Sequence, residues 1–324
     1  MKMILIFMGA FIGAIGDLVG EETGLRAVEG EETIVIEYEG EPVLVYYKAE
    51  QVPGDGIDAV YTRGAFIHPI RTLKGVEVTG TRPDDHYHHM GLWHAWVKTK
   101  HDGDEVDFWN LKKEQGTVRY VETVDVRNEE GGCGFTVRQE QVKYVGEAKE
   151  VVPVLGETLS VSASEEDGVL LIDYDVEQEN VTEAALKLAQ YRYGGPMAYR
   201  APHHWDKTNS DYLSSEGKTR EDGHETRSKW CAFWGPADAG GEDLVSLTIL
   251  CHPENHDFPQ RMRVWPPTSN NGAIFFNYVP IQETAWEIAP GERVEFRYRL
   301  VVEDEKVDAG EMDGWWEEYV EADG

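Results

Sequence analysis

Short apolar runs of period two, separated by turn residues, set the pattern of this chain. Residues 170–177 are the clearest case: Leu170, Ile172, Tyr174 and Val176 alternate with Leu171, Asp173 and Asp175. That spacing puts one apolar row on one face of an extended strand. Residues 33–38 and 43–47, rich in β-branched and aromatic side chains, flank Glu39-Gly40-Glu41-Pro42 and predict a hairpin. A second pair, 66–70 and 76–79, flanks a turn at Leu73-Lys74-Gly75. Further strands are predicted at 118–126, 134–144, 157–163, 184–193, 230–234, 244–251, 273–278 and 293–302. Only residues 309–320 carry a helical pattern. Close-set strands with Gly, Pro and Asp turns and almost no helix predict an all-β protein, a large antiparallel β-sandwich. Nothing repeats and no Pro/Ser-rich linker interrupts, so residues 17–324 read as one domain. The polar stretch 206–228 is the one segment long enough to leave it.

The first residues break this pattern. Met1 and Lys2 precede an apolar run over 3–14, and Ala14-Ile15-Gly16 forms a small-x-small site before Asp17. This is the arrangement of a secretory signal peptide, residues 1–16, and predicts export to the periplasm or the medium. The run is too short to span a bilayer, and no later segment reaches spanning length, so membrane insertion is not expected.

Charge narrows the function classes. The 324 residues include 30 Lys and Arg against 61 Asp and Glu, a formal net charge of −31. Such a surface repels nucleic acid and anionic membranes, which excludes both as expected partners. Three cysteines, Cys133, Cys231 and Cys251, lack metal-type spacing. In an exported protein Cys231 could bridge Cys251; three separate buried thiols are the alternative.

The chemistry concentrates at 82–96, R-P-D-D-H-Y-H-H-M-G-L-W-H-A-W, which holds His86, His88, His89 and His94 with Trp93 and Trp96. Imidazole suits metal ligation and proton transfer near neutral pH. In an extended segment His86 and His88 would face one side and His89 the other. Three readings stay open: a divalent-metal site using His86 and His88, a metal-free sugar site with an imidazole as general acid, and a hydrogen-bonded polar cluster. Asp107 adds a carboxylate between aromatics in E-V-D-F-W. Residues 191–205, Y-R-Y-G-G-P-M-A-Y-R-A-P-H-H-W, bring Tyr193, Arg200 and His203 around a turn. Residues 215–230 form a basic island in an acidic chain, with Lys218, Arg220, His224, Arg227 and Lys229. His252 follows an apolar strand in C-H-P-E-N, where loops carry function. No G-x-S-x-G, phosphate loop or dinucleotide fingerprint is present.

The ordered set F-I-H-P-I, P-D-D-H-Y-H-H-M-G-L-W-H-A-W, D-F-W, Y-G-G-P-M-A-Y-R, S-E-G-K-T-R-E-D-G-H-E-T-R and C-H-P-E-N resembles a bacterial family of unknown function. Its members carry the inherited label "methane oxygenase PmoA" (PmoA family protein). The resemblance spans about residues 25–303 and implies a β-sandwich, exported or cytosolic, from organisms that often degrade polysaccharides. A membrane methane monooxygenase subunit is multi-spanning and helical, so the label reads as a misnomer. The closing P-G-E-R-V-E-F-R-Y-R-L at 290–300 is similar to the supersandwich of galactose-mutarotase-like proteins, which use a histidine acid and a glutamate base on a sugar ring. That likeness implies His88 or His89 as the acid, with Glu283 and Glu287 as candidates for the base.

The expected protein is thus an exported, carbohydrate-active β-sandwich binding a saccharide or other polyhydroxyl small molecule. His86, His88, His89 and His94 are the expected catalytic centre. Trp93, Trp96, Asp107, Tyr193, Arg200, His203, His224, Arg227 and His252 are the expected substrate-binding residues. The chemistry expected is of epimerase, lyase or hydrolase type, without a cofactor. The alternatives are a metal-dependent hydrolase or oxygenase with histidine ligands, and a non-catalytic sugar-binding module.

Overall fold

Alternation of buried and exposed side chains becomes twenty strands in the computed structural model, which describes residues 24–322. The first described strands are β1 (Leu25–Glu29), β2 (Thr33–Tyr38), β3 (Glu41–Tyr47), β4 (Phe66–Ile70) and β5 (Leu92–Ala95). Two short strands follow, β6 (Thr99–His101) and β7 (Asp104–Val106). Four long ones come next: β8 (Gly116–Glu129), β9 (Gly132–Val145), β10 (Glu150–Glu166) and β11 (Val169–Asn180). Then come β12 (Leu186–Leu188), β13 (Gly195–Arg200), β14 (Asp211–Ser214), β15 (Trp230–Pro236) and β16 (Leu244–Cys251). The last strands are β17 (Met262–Val264), β18 (Phe275–Tyr278), β19 (Trp286–Ile288) and β20 (Arg293–Glu303), and α1 (Ala309–Glu321) follows them.

All the strands pair antiparallel, in two eight-stranded sheets and one of four. The first sheet runs β1-β2-β3-β4-β5-β13-β18-β17, the second β14-β15-β16-β20-β11-β10-β9-β8, and the small one β19-β12-β6-β7. The two large sheets face each other across the core. Tyr46 meets Phe135 at 5.4 Å, Phe276 meets Phe233 at 5.0 Å and Tyr278 meets Tyr298 at 5.7 Å between ring centroids. The predicted apolar row Leu170, Ile172, Tyr174 and Val176 points into this core. On the outer face of the second sheet, Leu171, Trp230 and Val301 pack against Met312, Trp315 and Tyr319 of α1. The helix is started by Asp308, whose side chain accepts from the Gly310 and Glu311 amides.

Several expectations change on folding. Residues 76–79 do not form a strand; only an isolated bridge between Arg71 and Glu77 remains. Of 184–193, only β12 pairs, because the chain turns away at 191–194. The stretch 206–228 is no excursion: β14 lies within it, and Arg220 is buried, donating to the Ser210 and Gly272 carbonyls. Cys133, Cys231 and Cys251 are three free, buried thiols. Cys231 stands opposite Ile249, not Cys251, in the β15–β16 register, which removes the suggested bridge. The predicted signal peptide, residues 1–16, lies outside the described residues. Among those residues no helix is long and apolar enough to cross a membrane.

Candidate functional site

Strand parity decides which chemistry faces which way. On β5, Trp93 points to the outer face of the first sheet, where it meets His89 at 5.0 Å and Trp109 at 5.1 Å. His94, the next residue, points into the core. There its Nε2 lies 2.8 Å from Glu157 Oε2 and its Nδ1 lies 2.7 Å from the Tyr174 hydroxyl. Glu157 also accepts from Gln139, Gln141 and Gln178 at 3.0, 2.7 and 2.7 Å. Burial alone would raise the Glu157 pKa, but His94 and these amides outweigh it and hold the carboxyl below its ordinary range. His94 therefore belongs to a buried network that ties the two sheets together, away from solvent.

The other three histidines of the stretch sit on a loop, residues 81–90, in front of the outer face. The expected extended geometry does not form. The His86 amide donates to Pro83 O and the His89 amide to His86 O, giving two successive turns, and the Arg82 amide donates to His89 O. These turns cancel the predicted separation and gather His86, His88 and His89 together. Their ring centroids are 4.8–5.5 Å apart, and His89 also stacks on Phe275 at 4.6 Å. Two glycines hold the neck of the loop. The Gly91 amide donates to Gly80 O and the Gly80 amide to Arg200 O. Gly91 has a φ of +68°, and a Cβ on it would stand 2.5 Å from Ile67 O; one on Gly80 would stand 2.6 Å from Ala201 O. Only glycine fits either place.

A cavity of about 150 Å³ opens between this loop and the sheet. Its floor is Phe275 of β18 and Trp265, which follows β17. His86, His88 and His89 form one wall, and Trp109, Asn110, Arg192, Tyr193 and Arg263 the other. Asp107 shapes that second wall: it is buried, accepts from the Trp109 and Asn110 amides at 3.0 and 2.9 Å, and holds the Asn110 side chain at 2.6 Å. Past Asn110 and Tyr193, which line both spaces, the cavity adjoins a groove of about 500 Å³ along β6. The two together fall in the size range of small-molecule sites.

Several polar atoms at and beside the cavity make no hydrogen bond. Nδ1 of His86, Nδ1 of His89, and the indole N–H groups of Trp93 and Trp109 are all buried without a hydrogen bond. The Asp85 carboxylate is 3.3 Å from His86 Nδ1 but not in hydrogen-bonding geometry. Buried polar groups are nearly always satisfied, so several orphans around one space point to a ligand or water that meets them. Burial pushes all three imidazoles down; cationic arginines add to it at each and neighbouring histidines at His88 and His89, while Asp85 opposes it at His86, and His88 falls to about 3. Each is therefore neutral at pH 7, able to donate from one ring nitrogen and accept at the other.

This sets an acid dependence of stability. The unfolded chain takes up protons near pH 6.5, while the folded chain resists them until much lower pH. Stability is therefore full above the unfolded value and falls as pH drops toward about 3 for His88. Urea midpoints of the wild type and His88→Gln, compared between about pH 6.5 and 5, are expected to show a flatter decline for the variant. Parallel declines would contradict the neutral assignment.

The remaining predicted residues are placed elsewhere. Trp96 is in the core, its indole donating to Gln178 at 2.8 Å. Arg200 lies 5.1 Å over the Trp265 ring, beside the cavity, and with His203 lines a separate pocket behind the loop. His224 is half-buried beside Glu225, outside the cavity lining. Arg227 is bound to Asp257, Pro259 O and Glu283. His252 packs against Tyr319 of α1 at 5.4 Å, on the far side of the second sheet. Of the candidate bases, Glu283 is paired with Arg227 and Arg261, and Glu287 stands opposite Lys187 on β19; neither lines the cavity. Among the described residues, no three His, Cys, Asp or Glu side chains form a metal-ligand group. Sequence reasoning missed Arg263, Trp265 and Phe275. The signal was there: Arg263 and Trp265 alternate with Met262 and Val264, a period-two pattern with the polar face outward.

The fold and site thus define an antiparallel β-sandwich with a histidine- and aromatic-lined cavity on the outer face of one sheet. Residues 33–317 match a family of unknown function, DUF6807, and the chain belongs to it. No curated protein matches the sequence. Among solved structures, the GH36 α-galactosidase AgaA from Geobacillus stearothermophilus aligns with a TM-score of 0.36 and 11% identity, over 87% of this chain and 41% of that one. A galactose mutarotase related enzyme from Lactobacillus acidophilus aligns with a TM-score of 0.38 and 9% identity, over 87% of this chain and 100% of that one. A polysaccharide lyase aligns with a TM-score of 0.34 and 10% identity, over 87% of this chain and 33% of that one. The chain spans less than half the length of the α-galactosidase and of the lyase.

Proposed function

We propose that this protein is exported, binds a saccharide in the cavity between residues 81–90 and the first sheet, and performs acid/base chemistry on it with imidazole side chains. One observation carries the reading: His86, His89 and Trp109, each with a buried ring nitrogen that makes no hydrogen bond, line a single cavity whose floor is aromatic. A sugar offers what such a space lacks, hydroxyls for the ring nitrogens and C–H faces for Trp265 and Phe275. An imidazole whose pKa a bound ligand's polar groups raise back toward the working range can take a proton from a ligand carbon or hydroxyl and return it, the work of a general acid and base. Among the described residues no Asp or Glu lines the cavity, so the reading rests on its imidazoles and not on a carboxylate pair. Export rests on the signal-like pattern of residues 1–16. The methane-oxygenase label adds no chemistry to this reading.

Calorimetric titration against a panel of oligosaccharides, with product analysis of each mixture, tests the proposal. Saturable binding with conversion of the bound sugar is expected. Binding without conversion would reduce the protein to a sugar-binding module, and no binding across the panel would overturn the reading.

A further inference from the structure

The cavity and its groove carry a charge opposite to that of the chain. Arg192 and Arg263 stand at the cavity, and Lys98, Lys100, Lys112 and Lys113 along the groove. Against these six cations the two linings hold two carboxylates, Glu105 and Asp107. Asp107 is already committed to the Trp109 amide and to Asn110. The four lysines are exposed, and among the described residues none of the six cations is in an ion pair.

That is unusual here, because acids outnumber bases by 61 to 30. The basic island of 215–230 shows the ordinary outcome: Lys218 pairs with Asp222, Arg227 with Asp257 and Glu283, and Lys229 with Asp313. Clustering along the sequence thus marked cations that folding neutralises, while the uncompensated ones come together from four separate segments. Arg192 and Arg263 face the same ring, their guanidinium carbons 5.7 and 5.5 Å from the centroid of Tyr193. Two like charges held over one ring repel each other, and among the described residues no carboxylate lies within ion-pair distance of either. Burial and then the neighbouring Arg192 depress the Arg263 pKa, and the more distant Glu225 only partly opposes them.

We propose that the ligand is an anionic saccharide, with a carboxylate or sulfate held between Arg192 and Arg263 and its chain continuing over the lysines of the groove. This rests on the saccharide reading above and sharpens it. A planar guanidinium matches the oxygens of either anion, and two of them over Tyr193 give a sugar acid both charge and a ring to lie on. A local positive potential inside a strongly acidic surface also selects: it admits an anion at short range while the surrounding field keeps polyanions off the rest of the molecule.

The test is calorimetric titration of the intact chain with matched polymers: polygalacturonate against its methyl ester, and dextran sulfate against dextran. Each charged polymer is run at low salt and at about 1 M, where screening is nearly complete beyond contact distance. The charged member of at least one pair is expected to bind at least tenfold tighter than its neutral partner. The Arg192→Gln/Arg263→Gln double variant is expected to lose that preference, and which pair responds identifies carboxylate or sulfate. Lys112→Gln/Lys113→Gln, fully exposed, serves as a second variant and is expected to weaken the charged polymer by several-fold. Equal binding of charged and neutral members would overturn the anionic inference and leave the saccharide reading standing. Charged binding that the arginine and lysine substitutions leave unchanged would also overturn it. Failure of every polymer, charged and neutral, would overturn both.

Discussion

Glu157→Ala is expected to lower stability by about 3–5 kcal/mol, the cost of leaving the donors around a buried carboxylate unmet. The carboxylate lies in the core between the sheets and meets His94 and three glutamine amides. Removing it strands the Gln141 and Gln178 amides in a dry interior and leaves Gln139 Nε2 with only His94 Nε2 at 3.2 Å; each unmet donor costs about 1–3 kcal/mol unless the site rearranges. The network reaches further. Gln139 accepts from the Tyr46 hydroxyl, Gln178 from the Trp96 indole, and Arg63 donates to His94 O. These contacts bind β3, β5, β9, β10 and β11 across both sheets. A thermal midpoint lower by roughly 10 °C is expected for a domain of this size. A loss below about 1 kcal/mol would show that water or repacking satisfies the orphaned groups. Ligand binding is expected to weaken as well, because His94 and Trp93 are neighbours on β5 and the cavity wall rests on Trp93.

The second large effect is on affinity alone. His88→Ala is expected to weaken saccharide binding by at least about tenfold, near 1.4 kcal/mol, while the unfolding midpoint at neutral pH stays within about 1 kcal/mol of wild type. His88 is half-buried and makes no hydrogen bond to the described residues, so the fold loses little with it. The cavity loses a neutral donor and acceptor aimed at the ligand. Calorimetry with the best-bound sugar and a urea titration separate the two effects. A variant that unfolds early yet binds normally would give His88 a structural role and remove it from the site.

The chain's β-sandwich was legible because period-two alternation is a local property. β2, β4 and β16 appear at the predicted bounds, and the Leu170–Val176 row faces the core as its spacing required. The shorter strands β6, β7, β14, β17 and β19 were harder, since three or four residues show too little alternation to stand out. The histidine loop was legible as chemistry and not as geometry. Parity in an extended segment separates His86 from His89, yet two turns bring them together, and those turns depend on glycines pinched against distant backbone. His94 was misplaced for the opposite reason: it does lie on a strand, so it points away from its neighbours. The basic segment 215–230 misled because sequence proximity says nothing of which acids fold against it. Arg192 and Arg263 lie far apart in the chain and meet only over Tyr193.

In the proposed function, one cavity walled by His86, His88 and His89 receives the ligand. Imidazole NMR spectra recorded while the intact protein is titrated with the best-bound saccharide test it most directly. Saturable shifts are expected at His86, His88 and His89 with His94 and His252 unmoved, since one lies in the core and the other beneath α1. Saturable binding that moves His224 or His252 and leaves those three resonances in place would contradict it.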